Sequence, residues 1–202
     1  MELLHDYFII ESLSENDIND GKIFNDTLLS LGKYKPFYIK VYNKKEFENA
    51  LLDFSNSNYK YLFISAHGDE ENIYLEYDSF NAYDLDDMKI NFNKKRIFMS
   101  TCRGGSFLLA KYFITKNAYS VIGSPDNISQ IIAVCMWPTM ILIFERLNKS
   151  ELNFYELNKA IKLMTKIYEI NLSYYSFVRN KNEMKEYFYS LNKTRIKNTY
   201  SI

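Results

Sequence analysis

A histidine and a cysteine each follow an apolar run and lie next to glycine-containing turns. The runs cover residues 61–66 and 97–101, and they end at His67-Gly68 and at Cys102. A free thiol with a pKa of about 8.5 is only a few per cent thiolate at neutral pH, and an imidazole that shares its proton makes it a better nucleophile. The amides of Gly68 and Cys102 are placed to bind the oxyanion that forms in acyl transfer. These residue types predict covalent catalysis by Cys102 with His67 as the base.

Two neighbouring strands would have to position these groups. Apolar runs rich in β-branched and aromatic residues and bounded by glycine are typical of buried strands. His67 and Cys102 lie 35 residues apart in the sequence, which is long enough for the crossover that parallel strands need. Parallel strands end at one edge of their sheet, where α/β proteins bind ligands. The sequence therefore predicts that the imidazole and the thiol meet at the carboxyl edge of a sheet.

Strand and helix patterns alternate along the chain. Further predicted strands cover residues 7–10, 36–42, 119–122 and 174–178, with a hairpin or extra strand near 73–77. Predicted helices end at Gly32 or cover residues 44–54, 84–88, 107–112 and 128–147, with one starting at Asn153 and a closing one at 184–191. This alternation predicts an α/β fold, with a mainly parallel central sheet of about six strands and helices on both faces.

Three residues of the predicted helices carry more specific expectations. Pro138 lies inside the apolar segment 128–147 and should break or restart that helix, because proline lacks a backbone donor. Cys135 belongs to the same segment and is expected in the core. Ile167 is expected on the buried face of the helix that starts at Asn153.

The two blocks together resemble the His-Gly and Cys blocks of caspase-like cysteine peptidases, including metacaspases and the bacterial CHAT group. The resemblance rests on SAHG at 65–68 and STCRGG at 100–105, and it extends from about residue 7 to about residue 170. It implies a three-layer caspase-like fold and an endopeptidase with a Cys102/His67 dyad and a covalent acyl-enzyme. It also implies regulated, limited proteolysis, which in bacteria is often tied to defence or cell death.

The resemblance does not carry over a substrate preference. Ser100 stands where caspases have glutamine and metacaspases have aspartate. We expect Ser100 at the floor of the first substrate pocket, and Ser124 and Asp126 beside it in the loop 124–129. Asp126 would make this pocket acidic, although an exposed loop carboxylate is the commoner role for such a residue.

Two other functions would use the same residues. A catalytically silent caspase-like binding module would keep the fold without the peptidase activity, and a different thiol enzyme, such as an acyltransferase, would share the dyad. A zinc site would have to recruit carboxylates from 69–71, because the two histidines and two cysteines lack the usual ligand spacing. We therefore predict no metal and no cofactor.

Composition sets the remaining expectations. A chain of 202 residues that is 47% hydrophobic predicts one domain, residues 1–202. Its zero net charge gives no long-range attraction to nucleic acid or anionic lipid, and no apolar segment is long enough to span a membrane. Two cysteines favour the cytoplasm over a disulfide-rich secreted scaffold. The expected partners are a protein or peptide substrate and an activating subunit.

Overall fold

A computed structural model describes residues 7–147, 153–191 and 193–202, without the side chains of 147 and 193–197. The strands are β1 (Tyr7–Ser12), β2 (Phe37–Lys40), β3 (Tyr61–Gly68), β4 (Asn72–Tyr74), β5 (Ser79–Asn81), β6 (Arg96–Ser100), β7 (Ser120–Gly123), β8 (Leu172–Val178), β9 (Glu183–Ser190) and β10 (Lys193–Ser201). The helices are α1 (Asp20–Ser30), α2 (Lys44–Asn56), α3 (Asp84–Asp87), α4 (Phe107–Thr115), α5 (Gln130–Leu147) and α6 (Phe154–Tyr168), with a short 3-10 turn at Arg179–Lys181.

The strands of the described residues form one ten-stranded sheet. Its main path runs β10-β9-β8-β7-β6-β3-β1-β2, and the hairpin of β4 and β5 extends from β3. The five strands from β7 to β2 are parallel, whereas β8, β9 and β10 are antiparallel. The α/β class is confirmed, but about six strands was too few, and the additional strands at one edge are antiparallel.

Two apolar cores cover the two faces of the sheet. Phe8 and Leu62 belong to the core beneath α2, α3 and α4. Tyr7, Phe63 and Phe98 belong to the core beneath α1, α5 and α6. Successive side chains of a strand point to opposite faces, so the almost continuous apolar runs of these strands fill both cores. The predicted arrangement of helices on both faces is confirmed.

Helix α5 continues through Pro138, so the expected break is wrong. Proline removes one helical hydrogen bond and crowds the preceding turn. The buried side chains of Trp137, Met140 and Ile141 hold both sides of this position against the second core, and their packing outweighs the local cost. None of the described helices combines the length and the apolar character needed to cross a membrane.

The expected core positions of Cys135 and Ile167 are also wrong. Cys135 is exposed, because the buried positions of α5 fall at Ala133, Met136 and Trp137, on one face of the helix. Ile167 is 56% exposed and lies one residue before the end of α6. The start of α6 matches expectation, since Asn153 and Glu156 form a reciprocal capping box there.

The predicted closing helix at 184–191 is wrong, because strand β9 covers most of this segment. Met184, Glu186 and Tyr189 are its buried positions, and β9 pairs with β8 on one side and β10 on the other. The run from Tyr187 to Tyr189 is aromatic, which favours a strand. Cross-strand packing therefore decided the structure of this segment.

Candidate active site

The register of the sheet places His67 and Cys102 level with each other. Ser65 on β3 pairs with Ser100 on the parallel strand β6, and each functional residue follows two positions later. Strand β1 pairs with the other side of β3, so the loop after β1 leaves from the same edge. Groups from three neighbouring strands therefore reach one end of the sheet.

The histidine and the cysteine line one narrow cavity of about 30 Å³. Cys102 is half-buried, and the imidazole of His67 is 53% exposed, so the cavity lies open to a substrate on the histidine side. A cavity of this volume holds about one water molecule. Its other lining residues are Leu13, Asp20, Ala66, Ser100, Ile128, Gln130 and Ala133.

The thiol is directed at the main chain and not at the imidazole. Cys102 Sγ donates to the carbonyl oxygen of Ile128 at 3.6 Å and makes no hydrogen bond with His67. Proton transfer to the imidazole would require the thiol to leave its hydrogen bond with Ile128. Catalytic hydrogen bonds often form fully only when a substrate is bound, so the missing contact is compatible with a catalytic pair.

The imidazole is held by a carboxylate that sequence analysis had assigned no functional role. His67 Nε2 lies 3.2 Å from Asp17 Oδ1. The same oxygen accepts a bond from Gln130 Nε2 at 2.9 Å, and Asp17 Oδ2 accepts the hydroxyl of Ser14 at 2.7 Å. This arrangement fixes the orientation of the ring through Nε2.

The hydrogen bonds to Asp17 make acid stability depend on this residue. The Ser14 hydroxyl, with Gln130 and His67, lowers the pKa of Asp17 from 3.8 to about 2. The ionised carboxylate therefore stabilises the fold above about pH 4, and this contribution is lost as the pH falls towards 2. We expect the difference in free energy of unfolding between the wild type and Asp17→Asn to shrink between pH 5 and pH 2.5 in urea titrations. A difference that stays constant over this range would contradict the assignment.

The turn after Cys102 leaves one amide without a partner. The amide of Arg103 donates to the carbonyl of Asp126 at 3.0 Å, and that of Gly105 to the carbonyl of Ser124 at 2.8 Å. Arg103 adopts a left-handed backbone conformation with φ of 54°. Among the residues that the structure describes, none accepts a hydrogen bond from the Cys102 amide. This amide is therefore available to an oxyanion.

Gly68 brings a second backbone segment close to the thiol. A Cβ added at Gly68 would lie 3.4 Å from the Cys102 carbonyl oxygen and 3.3 Å from the Cβ of Thr101. The peptide unit that follows His67 thus packs against the cysteine turn. The two amides proposed for the oxyanion, those of Gly68 and Cys102, belong to segments in contact.

Glycine at position 105 permits close contact with β7. A Cβ there would lie 2.3 Å from the carbonyl oxygen of Gly123, an approach that real Cβ atoms do not make. We expect Gly105→Ala to lower the free energy of unfolding by about 3 kcal/mol or more, because the backbone at Gly105 or Gly123 would have to move to make room for the added methyl group. Gly32→Ala is the control, since its φ of 67° is left-handed but its surroundings are open, and it should cost about 1–2 kcal/mol. Equal losses in urea unfolding would contradict this explanation.

A buried polar network forms the floor of the cavity. The hydroxyls of Ser65 and Ser100 donate to the two carboxylate oxygens of Asp20. Trp137 Nε1 in turn donates to Ser100 Oγ at 2.8 Å. Ser65 Oγ also lies 3.4 Å from the carboxylate of Glu11. Ser100 thus lines the cavity beside the carboxylate of Asp20, and its role in a substrate pocket stays a prediction.

The two acids in this network have no basic partner. Asp20 is 6% exposed and Glu11 is fully buried, and in the described part of the chain no lysine or arginine side chain forms an ion pair with either. Burial raises the pKa of Asp20, and the charge of Glu11 adds to this, while the hydroxyls of Ser100 and Ser65 oppose it. A cation entering the cavity would stabilise the ionised form of Asp20.

The structure does not bring Ser124 and Asp126 into the cavity. Ser124 is buried, and its hydroxyl accepts the amide of Asp126 at 3.1 Å. The exposed carboxylate of Asp126 accepts a bond from Asn171 Nδ2 at 2.7 Å. Neither residue lines the cavity around Cys102. Both instead support the cysteine turn through their backbone carbonyls.

Three polar groups of the candidate site were missed by sequence analysis: Asp20 and Gln130, which line the cavity, and Asp17, which bonds to His67 and Gln130. All three lie in or next to polar loops, where such residues are common without any chemical role. The described residues contain no group of three histidine, cysteine, aspartate or glutamate side chains arranged to hold a metal ion. The cavity is lined by a thiol, an imidazole and the carboxylate of Asp20.

Comparison with solved structures identifies the fold. The Arg-specific cysteine proteinase gingipain R superimposes with a TM-score of 0.56, at 12% identity, over 97% of this chain and 67% of that chain. The chain has a caspase-like fold. The complex of the pro- and mature domains of RgpB from Porphyromonas gingivalis gives a TM-score of 0.54, at 12% identity, over 97% of this chain and 69% of that chain. No protein-family description matches the sequence, and no curated protein is similar to it.

The caspase-like fold agrees with the resemblance found in the sequence at the level of architecture. At 12% identity the superposition concerns the fold alone. Function therefore depends on the site of this chain, since one fold can carry different activities.

Proposed function

We propose that this protein is a caspase-like cysteine endopeptidase in which Cys102 is the nucleophile and His67 the base. One observation carries the proposal: the thiol and an imidazole bonded to Asp17 line the same cavity, beside a Cys102 amide without a partner. These are the nucleophile, base, orienting group and oxyanion donor of acyl transfer. The cysteine-proteinase activity of the structural neighbours supports the same reaction.

The proposed reaction starts when the thiol turns from Ile128 to His67. Nδ1 of the imidazole takes the thiol proton as sulfur attacks the scissile carbonyl carbon. The amides of Cys102 and Gly68 donate to the oxyanion. The C–N bond breaks when the imidazolium returns the proton to the leaving amine, which leaves a thioester on Cys102. Water then attacks the thioester, with His67 again as the base, and releases the acid and the free thiol.

Asp17 acts as a positioning residue in this scheme. Its bond to Nε2 fixes the orientation of the ring and stabilises the imidazolium that forms during both steps. Gln130 and Ser14 hold the carboxylate itself in place. The orienting group comes from the loop after β1, so the proposed site uses three neighbouring strand ends.

The floor of the cavity favours a basic residue before the cut. Asp20 and Glu11 are buried acids without a basic partner among the described residues, and a cationic side chain would supply the missing charge. The arginine specificity of gingipain R is consistent with such a site. Because the cavity has room for about one water molecule, it must widen to admit a long side chain.

Thiol labelling tests the proposal directly. We expect iodoacetamide to alkylate Cys102 faster than Cys135 near pH 7, because His67 takes the proton of the Cys102 thiol. Exposure alone would give the opposite order, since Cys135 is the more exposed thiol. Mass spectrometry of tryptic peptides gives both rates in one sample. The His67→Ala variant is the control and should remove the difference. Faster labelling of Cys135, following exposure alone, would count against an activated nucleophile.

A silent binding module is the second candidate function. The contact of Cys102 Sγ with the Ile128 carbonyl favours it, because the thiol is turned away from the base. In the peptidase proposal, an activating subunit would move the segment that contains Ile128. This movement would free the Cys102 thiol to contact His67. Hydrolysis of any peptide by the purified chain, lost in Cys102→Ala, would reject the silent module.

A further inference from the structure

A second and larger cavity lies at the opposite edge of the sheet. It is a groove of about 520 Å³, within the range of small-molecule sites. Arg96 begins β6 and Tyr119 precedes β7, so the groove is at the amino ends of these strands, away from Cys102. Its lining residues are Arg96, Tyr119, Phe154, Tyr174, Ser176, Phe177, Arg179, Asn180 and Tyr187.

Two arginines give the groove its charge. The guanidinium carbons of Arg96 and Arg179 lie 5.7 and 4.5 Å from the centre of the Tyr119 ring, so both cations share one aromatic neighbour. Arg96 Nη1 donates to Ser120 Oγ at 3.0 Å, and Arg179 Nη2 donates to the side-chain oxygen of Asn93. Neutral groups thus hold both guanidiniums in place.

No acidic side chain among the described residues neutralises these arginines. In the described ranges, neither guanidinium forms an ion pair, and the groove lining contains no acid. The acid at the start of α6, Glu156, is buried and caps its own helix. Both guanidiniums line the same groove, so an anion bound there would gain favourable charge interactions with each of them. Planar guanidiniums also match phosphate oxygens in a bidentate manner.

Aromatic rings form the other wall of the groove. Phe154 and Tyr187 lie 5.0 Å apart between ring centres, and both pack on the buried Tyr174. Phe154 is 43% exposed, so part of its ring faces solvent. Rings fixed by their neighbours provide a rigid surface on which a planar group can stack.

We propose that this groove binds a nucleotide, with its phosphates on Arg96 and Arg179 and its base against Phe154 and Tyr187. The combination of paired cations and an exposed ring selects a ligand that is both anionic and aromatic. A nucleoside diphosphate fits within the volume of the groove. Because this site is remote from Cys102, its occupancy does not depend on the proposed peptidase activity.

Calorimetric titration of the full chain tests the proposal. The probes are ADP, adenosine and pyrophosphate, and ADP is expected to bind more tightly than either part. Arg179→Ala should weaken ADP binding by about tenfold or more. Phe154→Leu should weaken ADP binding by about fivefold or more and leave pyrophosphate unchanged. Cys102→Ala should bind ADP as the wild type does, which separates this proposal from the peptidase.

Matched controls make the outcome decisive. Arg146→Ala removes an exposed arginine of α5 outside the groove and should leave ADP binding unchanged. Urea unfolding of each variant shows whether the fold is kept. The proposal is overturned if no probe binds up to about 1 mM, if Arg179→Ala binds ADP like the wild type, or if ADP and pyrophosphate bind equally. Binding of an oligoglutamate peptide in place of ADP would assign the groove to a protein partner instead.

Discussion

Cys102→Ala is expected to reduce peptide hydrolysis by at least about 10³-fold, because it removes the atom that forms the thioester. The loss should appear in kcat, since the residues around the substrate remain. His67→Ala should cause a loss of similar size, as nucleophile and base act as one unit. The measurement is steady-state hydrolysis of a fluorogenic peptide that the wild type cleaves.

Cys135→Ala is the matched control for this result. It removes the other free thiol of the chain, which is exposed on α5 and does not line the cavity. Its kcat and KM should equal those of the wild type. Residual cleavage in Cys102→Ala that responds to Cys135→Ala would overturn the assignment of the nucleophile. Loss of activity in both single variants would point to a general requirement for thiols.

Peptides with arginine or lysine before the cut are expected to be cleaved about 10²-fold better than those with aspartate. A cationic side chain placed near the buried carboxylates of Asp20 and Glu11 gains favourable charge interactions, whereas an anionic one is repelled. Asp20→Asn should lower kcat/KM for the arginine peptide by about tenfold or more. Asparagine keeps the shape of the side chain and can still bond to Ser65 and Ser100, so the fold should persist.

Asp126→Asn distinguishes the two acids that have been assigned to the first pocket. Its carboxylate bonds to Asn171 outside the cavity, so this variant should retain the preference for basic residues while Asp20→Asn loses it. The same peptide set, scanned at the residue before the cut, measures both. A preference for aspartate in the wild type, or a loss of preference in Asp126→Asn alone, would contradict the role of Asp20.

The positions of His67 and Cys102 were predictable because both residues follow strongly apolar strands. The runs before His67 and Cys102 bury side chains on both faces of the sheet, which leaves little choice of structure for such sequences. The positions of strands, and therefore of the residues just beyond them, follow from this pattern. The adjacency of β3 and β6 then places the imidazole and the thiol at one edge.

Asp17 and Asp20 could not be assigned a role in the same way. Both lie between β1 and the body of α1 in a polar segment, where aspartate is favoured for turns and helix starts in any protein. Their functional positions depend on tertiary contacts with His67 and with Ser65 and Ser100. A periodic pattern carries no information about such contacts, since these are formed by residues far apart in the sequence.

The errors in β9 and α5 have the same origin. The segment 184–191 was assigned from local pattern, but β8 and β10 provide strand partners on both sides of it. Pro138 was expected to end a helix, but the buried face around Trp137 stabilises the continuous one. In both places tertiary packing outweighs local propensity.

The residues of the candidate site are far apart in the sequence, and this separation determines when the site can form during synthesis. Asp17 leaves the ribosome early, His67 later, and Cys102 and the contacts of Gln130 later still. His67 and Cys102 lie beside each other only when β6 pairs with β3. They therefore come together only after both strands have been synthesised. A nascent chain would therefore lack the assembled candidate site until it has been synthesised beyond Gln130, which bonds to Asp17.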